Sequence, residues 1–402
     1  MPWPEIAGTK VTESAGKGRG LFAARKFLPG QPILCEAALA SAALKDEATA
    51  TAWHNAAQLV RVILEKQLLS RTVDLAPNAA PEAADADEVT AVDSLLPLYP
   101  GASREELRRV MHVVRSNSFA FDGVQALFVR CSMVNHACVP NATHQQFLRA
   151  SDGALCACIR CVAPILAGEE ICISYAEDLC APPSERAPWL RHHGFAPERR
   201  PCDDGLEAWL VEANSERRKQ AEPVIAAHNI AADKAWLAAK AAAAKAAAAR
   251  AAAARAAGPA SSDDVVAAAS VAEERTHLMT AAAHYAKLSQ AADGVLGSSH
   301  ALLLQARLRL AHVMTLSRAQ RSCTNALPLW RAALEVTRRC CPPNWPHLIT
   351  PLRGARDAAT HAGDAAAANL FGDELERMLV LLNPKCSDVV DGTEEDETLE
   401  VQ

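Results

Sequence analysis

The chain has 402 residues, half of them apolar but only 4% aromatic, and a net charge of −6 at neutral pH. That length accommodates two or three domains, the acidic balance gives no general attraction for nucleic acid, and an alanine-rich, aromatic-poor composition favours helices over a β-sandwich. There is no stretch of about 18 uncharged apolar residues, so no membrane span is expected.

Met1–Glu5 holds two prolines and an acid ahead of the first motif, so no leader peptide is expected. The 13 cysteines follow no secreted-scaffold spacing and read as reduced thiols of a cytoplasmic or nuclear protein. Short strands are expected at Lys10–Val11, Gly20–Ala24 and Ile33–Cys35. Residues 41–70 carry helical spacing, with Trp53, Ala57, Val60, Leu64 and Leu68 on one stripe. Residues 76–94, rich in Ala, Asp and Pro, read as a loop. Ser103 and Glu106 form a capping box that opens a helix over 103–115.

Ala126–Val129 reads as a strand, and Pro140 halts regular structure while biasing Val139 to an extended conformation. Leu155–Ile165 is the stretch just before the Gly168 turn. Within it Cys156, Cys158 and Cys161 have a metal-like spacing, but on a strand Cys161 points away from the other two. Gly168–Tyr175 is a turn followed by an alternating strand. Residues 234–257 are a low-complexity helix in which Lys240, Lys245, Arg250 and Arg255 recur every five residues. At about 100° per residue these charges spiral instead of forming a basic stripe, so a semi-rigid spacer of roughly 36 Å is expected, ended by Gly258-Pro259. Helices are expected over 271–293, 299–318, 323–340, 345–362 and 364–382, and residues 387–402 hold seven acids and no base, an acidic tail.

Three stretches carry chemistry. They are Gly16-Lys17-Gly18-Arg19-Gly20-Leu21-Phe22-Ala23, Arg130-Cys-Ser-Met-Val-Asn135-His136-Ala-Cys-Val-Pro-Asn141, and Gly168-Glu-Glu-Ile-Cys-Ile-Ser-Tyr175. In this order they resemble the SET-domain protein-lysine methyltransferases: the first glycine-rich motif, the Asn-His-Ser-Cys-x-Pro-Asn motif with Ala137 in place of the usual Ser, and the Gly-Glu-Glu-Ile-x-Ile-x-Tyr motif. Asn117-Ser118-Phe119 is a further local match. The layout is similar to the SET-and-MYND branch of that family, yet residues 36–116 contain no cysteine, so a MYND zinc module has no ligands there.

The resemblance implies an α+β protein. Residues 1–202 would be a SET β-fold with a helical insert at about 36–116 and a degenerate post-SET end. Residues 203–263 would be a helical linker with the Ala-rich helix, 264–386 a tetratricopeptide-like helical domain, and 387–402 the tail. It also implies methyl transfer from S-adenosylmethionine to a lysine side chain of a protein, histone or non-histone. The cofactor would be held by Lys17, Gly18, Arg19, Asn117, Ser132, Val134, Asn135, His136, Tyr175 and Phe195. Tyr175 would be catalytic, and Phe119, Tyr175, His193 and Phe195 would line the lysine channel.

Asn141 would fix a loop rather than touch a ligand. The branch's post-SET zinc cysteines are replaced by Ala196 and Pro197, and Cys138 with Cys202 cannot make a four-ligand site alone, so no metal is expected and zinc is not implied. The implied partners are the substrate protein and proteins bound by the C-terminal helices, with no membrane and no strong nucleic-acid binding, the chain being a monomer. The alternative reading is a catalytically weak, SET-derived interaction scaffold.

Overall fold

The computed structural model describes residues 8–44, 51–73, 75, 86–121, 123–176, 178–193, 195–208, 216–255, 262–316 and 320–383. The first glycine-rich stretch is a hairpin: β1 (Thr9–Ser14) pairs antiparallel with β2 (Gly18–Ala23), Ser14 opposite Gly18. Gly18 has φ +75°, a left-handed conformation that costs glycine nothing. β3 (Pro32–Ala37) and β4 (Ala40–Ala43) follow, then three helices, α1 (Ala52–Glu65), α2 (Ala86–Leu95) and α3 (Arg104–Asn117).

Six short strands come next: β5 (Ser118–Phe121), β6 (Val124–Leu127), β7 (Asn135–His136), β8 (Ala142–Leu148), β9 (Leu155–Cys161) and β10 (Cys172–Ile173). They form sheets ordered β3–β9–β8 and β4–β6–β5, both antiparallel, and a two-residue parallel pairing of β10 with β7. Leu21, Phe27, Ile33, Phe128, Ile159 and Ile173 fill the core beneath them.

Two expectations for the insert change. Residues 41–43 are strand, not helix, because β4 runs antiparallel to β6, with Ser41 opposite Ala126, and a partner about 85 residues away overrides local helical spacing. The helix begins at Ala52, capped by Thr51, and its buried face is Trp53, Ala56, Ala57, Leu59, Val60 and Ile63, with Leu64 and Leu68 only partly covered. The stretch read as a loop over 76–94 becomes α2 from Ala86. Ala91, Val92 and Leu95 are buried, and the buried Glu88 carboxylate meets Arg108 Nε at 2.6 Å and His112 Nε2 at 2.9 Å on α3. The Ser103–Glu106 capping box is present at the start of α3 as its sequence predicts.

Beyond the sheets lie α4 (Pro183–His192), α5 (Asp203–Glu207), α6 (Glu216–Arg255), α7 (Ser262–Ala292), α8 (Ala301–Leu316), α9 (Gln320–Cys340), α10 (Ile349–Ala362) and α11 (Ala365–Leu382). From α6 onward each helix packs on the next. The Ala-rich helix is not a spacer. Arg217 Nη2 donates to Asp293 O at 2.9 Å, and the His228 and His284 rings meet with Nδ1 atoms 3.1 Å apart, so α6 runs antiparallel to α7.

Its buried residues Ala232, Ala235, Ala239, Ala242, Ala246 and Ala249 alternate three and four apart, the spacing of a coiled-coil seam. Lys240, Lys245 and Arg250 remain exposed around it. The helical region also shares a core with the β-rich part: Val162, Leu179 and Cys180 pack with Trp330, Leu334 and Leu352. This architecture is α+β, a β-rich domain followed by a long helical region. Among the described residues no helix is long and apolar enough to cross a membrane. Gly258-Pro259 and the acidic tail lie outside the described residues.

Candidate active site

The site is built where β7, β10 and the β1–β2 hairpin meet. Parallel pairing sets Cys172 opposite Asn135 and Ile173 opposite His136, so the polar pair follows directly on a buried core. The strand after Gly168 is shorter than its sequence suggests. The strand itself covers only Cys172 and Ile173, with Glu170 bridging antiparallel to Phe22 ahead of it, and Tyr175 lies two residues past the strand.

Asn135 is buried, and its Nδ2 donates to Arg19 O at 2.9 Å and Glu170 Oε1 at 2.8 Å. A Cβ on Gly20 would sit 2.9 Å from that same nitrogen, so glycine is required there by close approach. Lys17 Nζ donates to His136 O at 3.1 Å and lies 3.9 Å from Glu170. Arg19 contributes its carbonyl to the corner through Asn135, and Gly18 is on the exposed edge of the hairpin. Asn141 Nδ2 donates to Glu170 O at 2.9 Å and its Oδ1 accepts from Cys172 N at 2.9 Å. It therefore ties two loops together, as its sequence position predicts.

His136 is 3% exposed. Its Nδ1 accepts from Tyr175 N at 3.0 Å, and Nε2 lies 3.3 Å from Cys138 Sγ. Burial pulls the imidazole down to about 4, and the positive charges of Lys17 and Arg186 add to the effect, so the ring is neutral at physiological pH. Because the folded-state value lies below the unfolded one, this ring contributes stability fully present above about pH 6.5 and lost as pH falls toward 4. The shift corresponds to about 3 kcal/mol. Urea midpoints measured at pH 7 and pH 4.5 should therefore fall less for His136→Gln than for the natural chain; equal losses would show that His136 does not couple to folding.

The Tyr175 hydroxyl donates to Val134 O at 2.9 Å. Burial raises its phenol well above the usual value, with Cys172 and Glu170 adding to the rise. It is therefore a hydrogen-bond donor at any working pH. Around it stand the His193 ring, with centroids 4.8 Å apart, and Phe195 at 5.5 Å; Phe195 also lies 5.8 Å from His136.

A cleft of about 160 Å³ borders Tyr175, lined by Asn117, Phe119, Ser132, Tyr175, Trp189 and His193 among others. Ser132 Oγ donates to Asn117 O at 2.8 Å and to Phe128 O, while Asn117 Nδ2 donates back to Val113 O at 2.8 Å. These two side chains bond to backbone, which fixes the wall of the cleft. Phe119 packs edge-on against Phe128 at 5.8 Å and beside His144 at 5.4 Å.

The residues singled out in the sequence thus fall into two adjoining groups: Lys17, Asn135, His136, Tyr175 and Phe195 on one side, and Asn117, Phe119, Ser132, Tyr175 and His193 on the other. Sequence reasoning gave no role to Glu170, although it lies inside a quoted motif, and its carboxylate anchors Asn135. It also passed over Glu36, whose carboxylate accepts from Val129 N, Arg130 N and Cys131 N at 2.9, 2.8 and 3.0 Å. That cradle shapes the turn leading into Ser132–His136. An acid in a strand 93 residues before its first partner leaves no local signal. Trp189, on the cleft rim, was passed over too.

Among the described residues no group of three His, Cys, Asp or Glu could hold a metal ion. In β9, Ala157, Ile159 and Cys161 face the core while Cys156 and Cys158 lie on the opposite face.

No curated protein compared with the chain matches it. Among solved structures, a crystal structure of a candidate histone methyltransferase from Plasmodium falciparum is 12% identical, covers 42% of this chain and 95% of its own, and has a TM-score of 0.23, too slight a likeness to carry an argument. The family model described as SET domain matches residues 18–176. That span, under half of the chain, holds β2 to β10, the Asn135–His136 corner and Tyr175, and over it the chain is similar to the SET domain.

Proposed function

We propose that this chain is a protein-lysine N-methyltransferase that uses S-adenosylmethionine. SET domains are in general those of methyltransferases. The observation that carries the proposal is Tyr175, whose ring contacts His136 and Phe195 of the Lys17–Asn135 group and also lines the cleft bordered by Phe119, Trp189 and His193.

The two sides suit different occupants. At about 160 Å³ the cleft is smaller than the roughly 300–1,000 Å³ of small-molecule pockets and on the scale of one inserted side chain. The other group brings together an ammonium, a buried amide, a neutral imidazole and an aromatic ring, the kinds of group that a carboxylate-bearing adenosine compound calls for, each polar one now bonded to protein atoms. Lys17, Asn135, His136 and Phe195 would hold it, with Gly18 and Arg19 bringing the hairpin alongside. When bound, it supplies an electrophilic methyl on a sulfonium.

The rest is done by the chain. A lysine amine, which in water titrates at about 10.4, must shed its proton before it can attack, and ring-lined walls disfavour the ammonium. Tyr175 keeps its proton, and its hydroxyl, which donates to Val134 O in this structure, would serve as the donor at the reacting centre. Positioning and fixed dipoles then do most of the acceleration. On the same reading α7–α11 are a tetratricopeptide-like platform for partner proteins, and the chain is a monomer working in the cytoplasm or nucleus.

The scaffold alternative has one observation in its favour, that Lys17 Nζ is engaged with His136 O. Radiolabelled methyl transfer to a whole-cell lysate, followed by mass spectrometry of the labelled residue, tests the proposal. Label on lysine is expected. Label confined to other residues, or no label while calorimetry shows donor binding, would remove it.

A further inference from the structure

α4 ends at the rings that close the site, and the helix is anchored by a buried ion triad. Asp203 is fully buried, and Arg186 and Arg200 are 1% and 4% exposed. Arg186 Nη2 meets both Asp203 oxygens at 2.8 and 2.7 Å, and Arg200 Nε and Nη2 reach Asp203 Oδ1 at 3.1 and 2.8 Å.

The remaining donors reach out to three other segments. Arg186 Nε donates to Ala181 O at 3.1 Å and its Nη1 to Cys138 Sγ at 3.2 Å, two residues from His136. Arg200 Nη1 donates to Cys340 O at the end of α9, at 3.2 Å, and Nη2 to Leu179 O at 2.8 Å. One cluster therefore joins the loop after Tyr175, the Asn135–Cys138 corner, the segment 200–203 and the helical region.

Such a cluster is a poor device for stability alone. Removing two guanidiniums and a carboxylate from water costs several kcal/mol per ion, and apolar replacements of buried ion pairs are often as stable. What a planar, five-donor fork does better than an apolar side chain is fix orientation. Arg186 sits four residues before the fully buried Leu190 on one face of α4. Leu190 O in turn accepts from His193 N at 3.0 Å and Phe195 N at 2.8 Å. The anchor and the two rings are thus linked through one helix turn and its C-terminal cap.

We propose that Arg186, Asp203 and Arg200 are positioning residues for the methyl-transfer site. They set the register of α4 so that His193 and Phe195 stand against Tyr175, and they tie that register to the helical region through Cys340. This deepens the proposed function and rests on it for the catalytic consequence, but the placement of the rings can be tested without turnover.

The test compares the natural chain with Arg186→Met, which leaves Asp203 paired with Arg200, and with the apolar triple variant Arg186→Met/Arg200→Met/Asp203→Leu, which leaves no buried charge unpaired. Two quantities are read: the His193 ring signal in NMR, assigned with His193→Gln, and methyl transfer per folded molecule. In the natural chain that signal should be displaced by the ring currents of Tyr175 and Phe195. In both variants it should relax toward the free-histidine position, with kcat/KM falling on the order of 10²-fold, the scale of an ångström-level misplacement, and donor affinity nearly unchanged.

Should Arg186→Met fold poorly, the apolar triple variant decides. Variants that keep the natural His193 signal and rate would overturn the proposal. Should the natural chain transfer no methyl group, the proposed function fails on its own, and the His193 signal still decides whether the triad sets the rings.

Discussion

Tyr175→Phe should lower methyl transfer by about 10²–10³-fold, the cost of removing one preorganised donor at a reacting centre, while leaving donor affinity within a few-fold. The ring is retained, so the edge-on contacts with His193 and Phe195 survive. Only the hydroxyl is lost, and with it the 2.9 Å bond to Val134 O. One unpaired carbonyl costs stability on the order of 1–2 kcal/mol, too little to unfold a domain of this size.

Single-turnover rates at saturating donor and peptide separate chemistry from binding. A variant that raised KM and left the chemical step untouched would show that the hydroxyl orients nothing. Because the phenol is held well above its usual value by burial, the rate should not fall between about pH 8 and 10 through loss of this proton. An alkaline decline reproduced in Tyr175→Phe would come from elsewhere.

The second large effect concerns Trp330 and is one of stability. Trp330 is 1% exposed in the core that joins Val162, Leu179 and Cys180 to α9 and α10, and its Nε1 donates to Thr315 Oγ1 at 3.0 Å. Its indole lies so close to Gly354 of α10 that a Cβ there would meet Trp330 Cε2 at 2.5 Å and Cη2 at 2.6 Å.

Trp330→Ala should cost about 3–5 kcal/mol through lost burial and the cavity left behind. Gly354→Ala should cost about 1–3 kcal/mol by overpacking the same contact. The two should not add. With the indole gone the new methyl has space, so the double variant should be less destabilised than the sum by about 1 kcal/mol or more. Urea unfolding followed by circular dichroism measures all three. A loss below about 1 kcal/mol for Trp330→Ala, or strict additivity, would mean that α9 and α10 do not meet at this contact.

Much of the site was legible because its residues travel in short, locally constrained stretches. The glycine hairpin needs φ values that few other residues tolerate. The Asn135–His136 pair follows a buried run, and Asn141 reaches partners on a neighbouring loop through an ordinary side-chain amide, which donates at one end and accepts at the other. The Ser103 cap was equally legible, since its partner is only three residues away. Leu64 and Leu68 show where periodicity falls short: both have the right spacing, but the helix buries Ala56, Leu59 and Ile63 in a core shared with α2, α3 and β4.

The chain itself determined the kinds of chemistry available: a phenol, an imidazole, an amide and an ammonium in three fixed motifs, and helices from α7 onward. Tertiary structure decided which of them meet. β4 became a strand because β6 offered it hydrogen bonds, and α2 became a helix against α3 through Glu88. The packed seam of α6 could not be seen because nearly every position in it is alanine, and a pattern of burial leaves no trace where neighbouring letters are identical. Glu36, Arg186, Asp203 and Arg200 are likewise ordinary charged residues in sequence. Their roles come from partners tens to more than a hundred positions away, and burial makes those charges tolerable only where every hydrogen-bonding direction is met.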